Sequence, residues 1–138
     1  MEQTGDCNTV LFVEDEVLVR LSVADALRQA GLTVLEAANA DEARTILASG
    51  VYAIGVVVTG TEAPRSIDGA ALLRHARQRH PQIGIVILSA APANVPNAVD
   101  ADLSLAKPHS AQRLIKEIQH LLAARCGNGS RKVNAGYN

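Results

Sequence analysis

Four short polar clusters in this chain follow apolar runs. They are Glu14-Asp15 after TVLFV, Thr59-Gly60-Thr61 after AIGVVV, Ser89 after IGIVIL, and Lys107-Pro108 after residues 102–106. Two adjacent carboxylates can hold a hard cation such as Mg²⁺, which takes oxygen ligands in octahedral array. A hydroxyl and an ammonium suit the oxygens of a phosphoryl group. Each cluster alone has a plainer meaning. Glu14-Asp15 also reads as a solvated strand end or helix start, Ser89 as a strand-end hydroxyl and Lys107 as a loop cation. Only a fold that brings them to one edge makes them a site.

The apolar patterning supplies such a fold. Residues 9–13, 32–37, 53–59 and 83–89 are short apolar runs, and 102–106 is a weaker one, so all five are expected as strands. AIGVVVT, at 53–59, has the continuous β-branched character of a strand covered on both faces. Between the runs lie helical patterns. Val17, Leu18, Leu21, Ala24, Leu27 and Ala30 recur at helical spacing over 16–30, and Gly31 stops that helix. Asn39 caps a second helix running to Gly50 through Ala43, Ile46 and Leu47. Asp68 or Ser66 caps a third that carries Ala71, Leu72 and Ala76 towards Pro81. Pro92 and Pro96 allow only a short or distorted helix over 90–98. Ser110 caps the last, over 111–124, with Leu114, Ile115, Ile118, Leu121 and Leu122 on one side. Alternating strands and helices predict an α/β domain over 9–124, a single doubly wound parallel sheet in flavodoxin-like order 2-1-3-4-5. Functional residues then belong beyond the carboxyl ends of the strands. Residues 125–138, rich in Gly and Asn, are expected to form a flexible tail.

Composition narrows the functional classes. The chain has 138 residues, a formal net charge of -1 and 2% aromatics. No basic footprint for nucleic acid and few stacking platforms are present. Cys7 and Cys126 have neither metal-ligand spacing nor a disulfide framework. No secretion signal and no run long enough to cross a bilayer stand out, so a cytoplasmic protein without membrane contact is expected. A nucleotide or flavin domain would carry a Gly-rich phosphate loop after the first strand, and none is there.

The clusters, taken with their surroundings, closely resemble the receiver domain of two-component response regulators, the chemotaxis-Y-like fold. The likeness spans about residues 9–124. It rests on VLFVEDE, VVVTGTEAP, SIDGAALLRHAR, VILSA and AKPHS. It implies that Glu14 and Asp15 match the family's Mg²⁺-binding acidic pair. Ser89 matches the hydroxyl that contacts the phosphoryl group, and Lys107 the conserved ammonium. Thr59 belongs to the same pocket but is expected to point into the fold. Expected partners are a histidine kinase or a downstream signalling protein, and a homodimer is compatible.

The departures carry as much information. The family's phosphoacceptor Asp, at the end of strand three, corresponds to Gly60, which has no side chain to phosphorylate and removes one Mg²⁺ ligand. Ala63 replaces the usual Met, and Ser104 stands at the switch position that is normally aromatic. The expectation is therefore a non-enzymatic, pseudo-receiver signalling module. It requires no cofactor, leaves Glu14 and Asp15 as a weak Mg²⁺ site, and acts through protein–protein contacts. The alternative is an active phosphoacceptor using a displaced carboxylate (Glu62, Asp15 or Glu14) with Mg²⁺.

Overall fold

Alternation within the apolar runs divides the core into two layers. The computed structural model describes residues 8–60, 67–80, 82–89, 103–106 and 110–130. In strand β1 (Thr9–Val13), Val10 and Phe12 join one buried cluster while Leu11 and Val13 join the other. The same two-residue period sends Val56 and Val58 to the first cluster and Val57 to the second. Val86 and Leu88 follow the first, Ile85 and Ile87 the second. Such strands are apolar on both faces because both faces are covered.

The remaining elements are α1 (Val17–Gln29), β2 (Thr33–Ala37), α2 (Ala40–Ser49), β3 (Ile54–Gly60), α3 (Ile67–Arg79), β4 (Gly84–Ser89), β5 (Leu103–Ala106) and α4 (Ala111–Ser130). The strands are parallel and ordered β2-β1-β3-β4-β5. The expected flavodoxin-like placement of the first four is the observed one, and β5 pairs with β4 through Val86↔Leu103 to Ser89↔Ala106. Ala24 and Leu27 of α1 and Leu114, Ile118 and Leu122 of α4 cover one face of the sheet. Ala43 and Leu47 of α2 and Leu72, Leu73 and Ala76 of α3 cover the other. Each fully buried Leu or Ile contributes roughly 1.5–3 kcal/mol by leaving water. Phe12, 1% exposed, is the aromatic of this core.

Local signals set several boundaries. The Asn39 side chain accepts the Glu42 N–H at 2.8 Å, and Glu42 in return accepts the Ala38 N–H at 2.8 Å. Gly50 ends α2 at φ 68°, a left-handed conformation that favours glycine. Gly31, at φ 96°, turns the chain after α1 in the same way. Ser110 Oγ accepts the Arg113 N–H at 3.0 Å and opens α4.

Three expectations need correcting. Asp68 lies inside α3 rather than before it, so it is not the cap, and Ser66 falls outside the described residues. α4 continues to Ser130 instead of stopping at 124, so the tail expected over 125–138 begins within a helix. The good helix formers Ala123, Ala124 and Arg125 carry the ladder on, and Gly127 and Gly129 each cost only about 1 kcal/mol against it. The apolar positions of α1 also do not all face the core. Ala24 and Leu27 are buried, but Val17 is 53%, Leu18 81% and Leu21 49% exposed. The helix packs through Ala24, Leu27 and half-buried Val23, and turns its first apolar residues outward. The segment 90–98 lies outside the described residues.

Candidate functional site at the carboxyl edge of the sheet

The pairing register determines which residues meet. Val13 pairs with both Ala37 and Thr59, so Glu14, the next residue, stands level with Gly60. Gly60 in turn pairs with Leu88, one residue before Ser89, and Ser89 pairs with Ala106, one residue before Lys107. β1, β3 and β4 are neighbours, so these strand ends are spaced about 5 Å apart. The backbone thus brings Glu14, Gly60 and Ser89 to one edge. Lys107 lies outside the described residues, as do Thr61, Glu62 and Ala63.

Thr59 is 4% exposed. It follows the buried run Val56 to Val58, and its expected inward placement is what the fold gives it. Ser104 pairs with Ile87 in the β4–β5 ladder and so sits within β5.

Glu14 is half-buried and Asp15 exposed. The Glu14 N–H donates to the Ala37 carbonyl oxygen at 2.9 Å, prolonging the β1–β2 pairing by one step. Its carboxylate Oε2 accepts the Glu16 N–H at 3.0 Å, at the start of α1. Glu16 itself makes no side-chain cap, so Glu14 serves one of the unpaired N–H groups at this helix end. The negative charge also complements the positive end of the helix dipole.

The donor set suits a hard cation only in part. Glu14 and Asp15 offer carboxylate oxygens, the ligand type Mg²⁺ prefers. Gly60 adds none, and no group of three or more His, Cys, Asp or Glu residues able to hold a metal is found among the described residues.

Two arginines that meet at Glu36 have no signal in the sequence. Arg20 of α1 donates from Nη1 to the Glu14 carbonyl oxygen at 2.9 Å and from Nε to Glu36 Oε1 at 3.2 Å. Arg28 donates to Glu36 Oε2 at 3.0 Å and to the Val34 carbonyl oxygen at 2.8 Å. Glu36 thus sits between two guanidinium groups beside the acidic loop. At the opposite edge, Asn8, Gly31, Leu32 and Gln119 line a shallow cavity of about 260 Å³, remote from Glu14. Among the described residues no helix is long and apolar enough to cross a membrane.

Comparison with known proteins agrees with this architecture. The sensor kinase CckA of Brucella abortus is 37% identical over 120 residues, covering 83% of this chain. The chain spans only 12% of that kinase's length. A solved response regulator receiver protein from Sinorhizobium medicae is 32% identical with a TM-score of 0.71, covering 85% of this chain and 95% of that one. The solved receiver domain of the hybrid histidine kinase CckA is 32% identical with a TM-score of 0.68, covering 83% and 98%. The response regulator receiver domain family matches residues 10–119, and the chain belongs to that family.

Proposed function

We propose that this receiver domain works in two-component signalling without phosphorylation at the usual position, through contact with a partner protein. The observation that carries this reading is Gly60 at the end of β3, level with Glu14 on the neighbouring strand. In a receiver that place calls for a nucleophilic carboxylate, and a glycine offers neither nucleophile nor metal ligand. Thr59, the nearest hydroxyl on the strand, is buried. Glu14 spends one carboxylate oxygen on the Glu16 N–H. The protein is then not an enzyme. Mg²⁺, when bound, would be held by Glu14 and Asp15 and would supply local positive charge to an otherwise acidic loop.

The contact face is the outward side of α1. Val17, Leu18 and Leu21 stand one turn or less apart and are all exposed. Exposed Asp15, Glu16 and Asp25 flank them. This apolar patch with an acidic rim fits a protein surface that offers an apolar groove with basic residues around it, such as a histidine kinase or another signalling protein.

Incubation with Mg²⁺ and phosphoramidate, followed by intact mass, tests the reading. The parent protein keeps its mass. A gain of one phosphoryl group would support the alternative, a displaced carboxylate as acceptor, and peptide mapping would locate it.

A further inference from the structure

Several hydrogen bonds hold the segment from Glu14 to Glu16. The Glu14 N–H reaches Ala37, the Glu16 N–H returns to the Glu14 carboxylate, and the Arg20 N–H bonds the Glu16 carbonyl oxygen at 2.8 Å. The Arg20 side chain of α1 adds a different kind of restraint. Arg20 grips the Glu14 carbonyl oxygen with Nη1 and Glu36 Oε1 with Nε. The Arg20 and Glu36 side chains are 17% and 21% exposed, so this contact is largely shielded from water. A planar guanidinium offers its donors in a fixed fork, so holding Glu36 sets where the Glu14 carbonyl must lie.

Arg28 provides the contrast. It stands on the same helix and bonds the same Glu36, but its second contact is the Val34 carbonyl inside β2. Its side chain is 46% exposed. Arg28 can fasten α1 to β2. Only Arg20 of this pair also reaches the acidic loop.

We infer that Arg20 is a positioning residue of the acidic loop: anchored on Glu36, it holds the Glu14 carbonyl and with it the backbone from which the Glu14 and Asp15 carboxylates project. This deepens the reading of Glu14 and Asp15 as a cation-facing pair and rests on it only for the metal measurement below. It gives the loop one preset geometry that does not wait for a phosphoryl group.

The test compares Arg20→Gln, Arg20→Lys and Arg28→Gln with the parent by amide hydrogen exchange, residue by residue. In Arg20→Gln, exchange at Glu14 and Glu16 speeds up by about tenfold or more relative to Leu114 and Ile118 in α4, as expected of a local opening. In Arg28→Gln these amides stay within about threefold of the parent on the same scale. Arg20→Lys keeps a charge opposite Glu36 and so keeps the melting temperature. One ammonium cannot reproduce the fork, so Glu16 still exchanges faster than in the parent. Equal acceleration in Arg20→Gln and Arg28→Gln would reduce Arg20 to a helix–strand staple and overturn the inference. So would no acceleration, acceleration spread evenly through α4, or full restoration by lysine. Mn²⁺ added alone supplies the second readout. It broadens the amide resonances of Glu14 to Glu16 in the parent, and Arg20→Gln weakens that broadening at unchanged protein concentration. Absence of broadening in the parent would count against the cation reading, while the exchange comparison still decides the role of Arg20.

Discussion

Val13 of β1 pairs with Thr59 of β3, so the residues that follow them, Glu14 and Gly60, share one level at the carboxyl edge of the sheet. A carboxylate at position 60 would therefore stand beside Glu14, where it could complete a cation site or repel its neighbour. The glycine does neither.

This relationship predicts the behaviour of Gly60→Asp. Adding a carboxylate next to Glu14 and Asp15 crowds like charges, which a divalent cation relieves. Mg²⁺ should therefore raise the melting temperature of the variant and leave that of the parent nearly unchanged. At a Mg²⁺ concentration ten times its dissociation constant, the gain is about 1.4 kcal/mol. For a domain of this size that is a shift of about 4 °C or more. Differential scanning calorimetry with and without Mg²⁺ measures it, and an equal response in the parent would show that position 60 is not the missing ligand.

The α1 surface separates binding from folding. Leu18 is 81% exposed, so Leu18→Asp should change stability by no more than about 0.5 kcal/mol. Its affinity for a captured partner should fall by about tenfold or more, because a charge placed in an apolar contact must be desolvated. Leu27, fully buried on the opposite side of the same helix, should show the reverse order of sensitivity. Leu27→Ala should cost about 3 kcal/mol in urea unfolding. If Leu18→Asp destabilises as much as Leu27→Ala, the outward assignment of this helix is wrong.

The two arginines on Glu36 should differ in a double-mutant cycle. Arg20 and Glu36 are mostly shielded, and their charge-assisted bond should show a coupling of about 1–2 kcal/mol. Arg28 is 46% exposed, and its coupling to Glu36 should be below about 1 kcal/mol and fall with added salt. Chemical unfolding at low and high salt gives both numbers. Equal couplings would remove the distinction between the two.

The helix caps offer a simpler check. Asn39→Ala and Ser110→Ala each remove a side-chain acceptor from a helix-start N–H. Each should cost about 1 kcal/mol. The effects should add, since the two caps serve different helices that cover opposite faces of the sheet.

What could be read from the sequence was mostly local. Asn39 and Ser110 announce their helices because a cap acts within three residues. The β-branched run before Thr59 announces a central strand because burial on both faces demands it. Helical periodicity in α1 was equally visible, but periodicity alone does not say which stripe faces the core. Val17, Leu18 and Leu21 share a spacing with Ala24, yet only the packing against β1 and α4 turns them outward. The edge shows the same division. Glu14, Gly60 and Ser89 are legible as strand-end residues, and the register then sets Glu14 level with Gly60 and Ser89 one residue beyond that level. The Arg20–Glu36 contact was not legible, since sixteen positions and a helix-to-strand turn separate the two and neither residue is unusual in its own surroundings.

We propose that Gly60 leaves this receiver without its phosphoacceptor. Intact mass of the parent and of Gly60→Asp, side by side after Mg²⁺ and phosphoramidate, addresses it most directly. The parent should keep its mass and the variant should gain one phosphoryl group. A phosphoryl gain in the parent would mean that another residue accepts the group and that Gly60 does not silence this receiver.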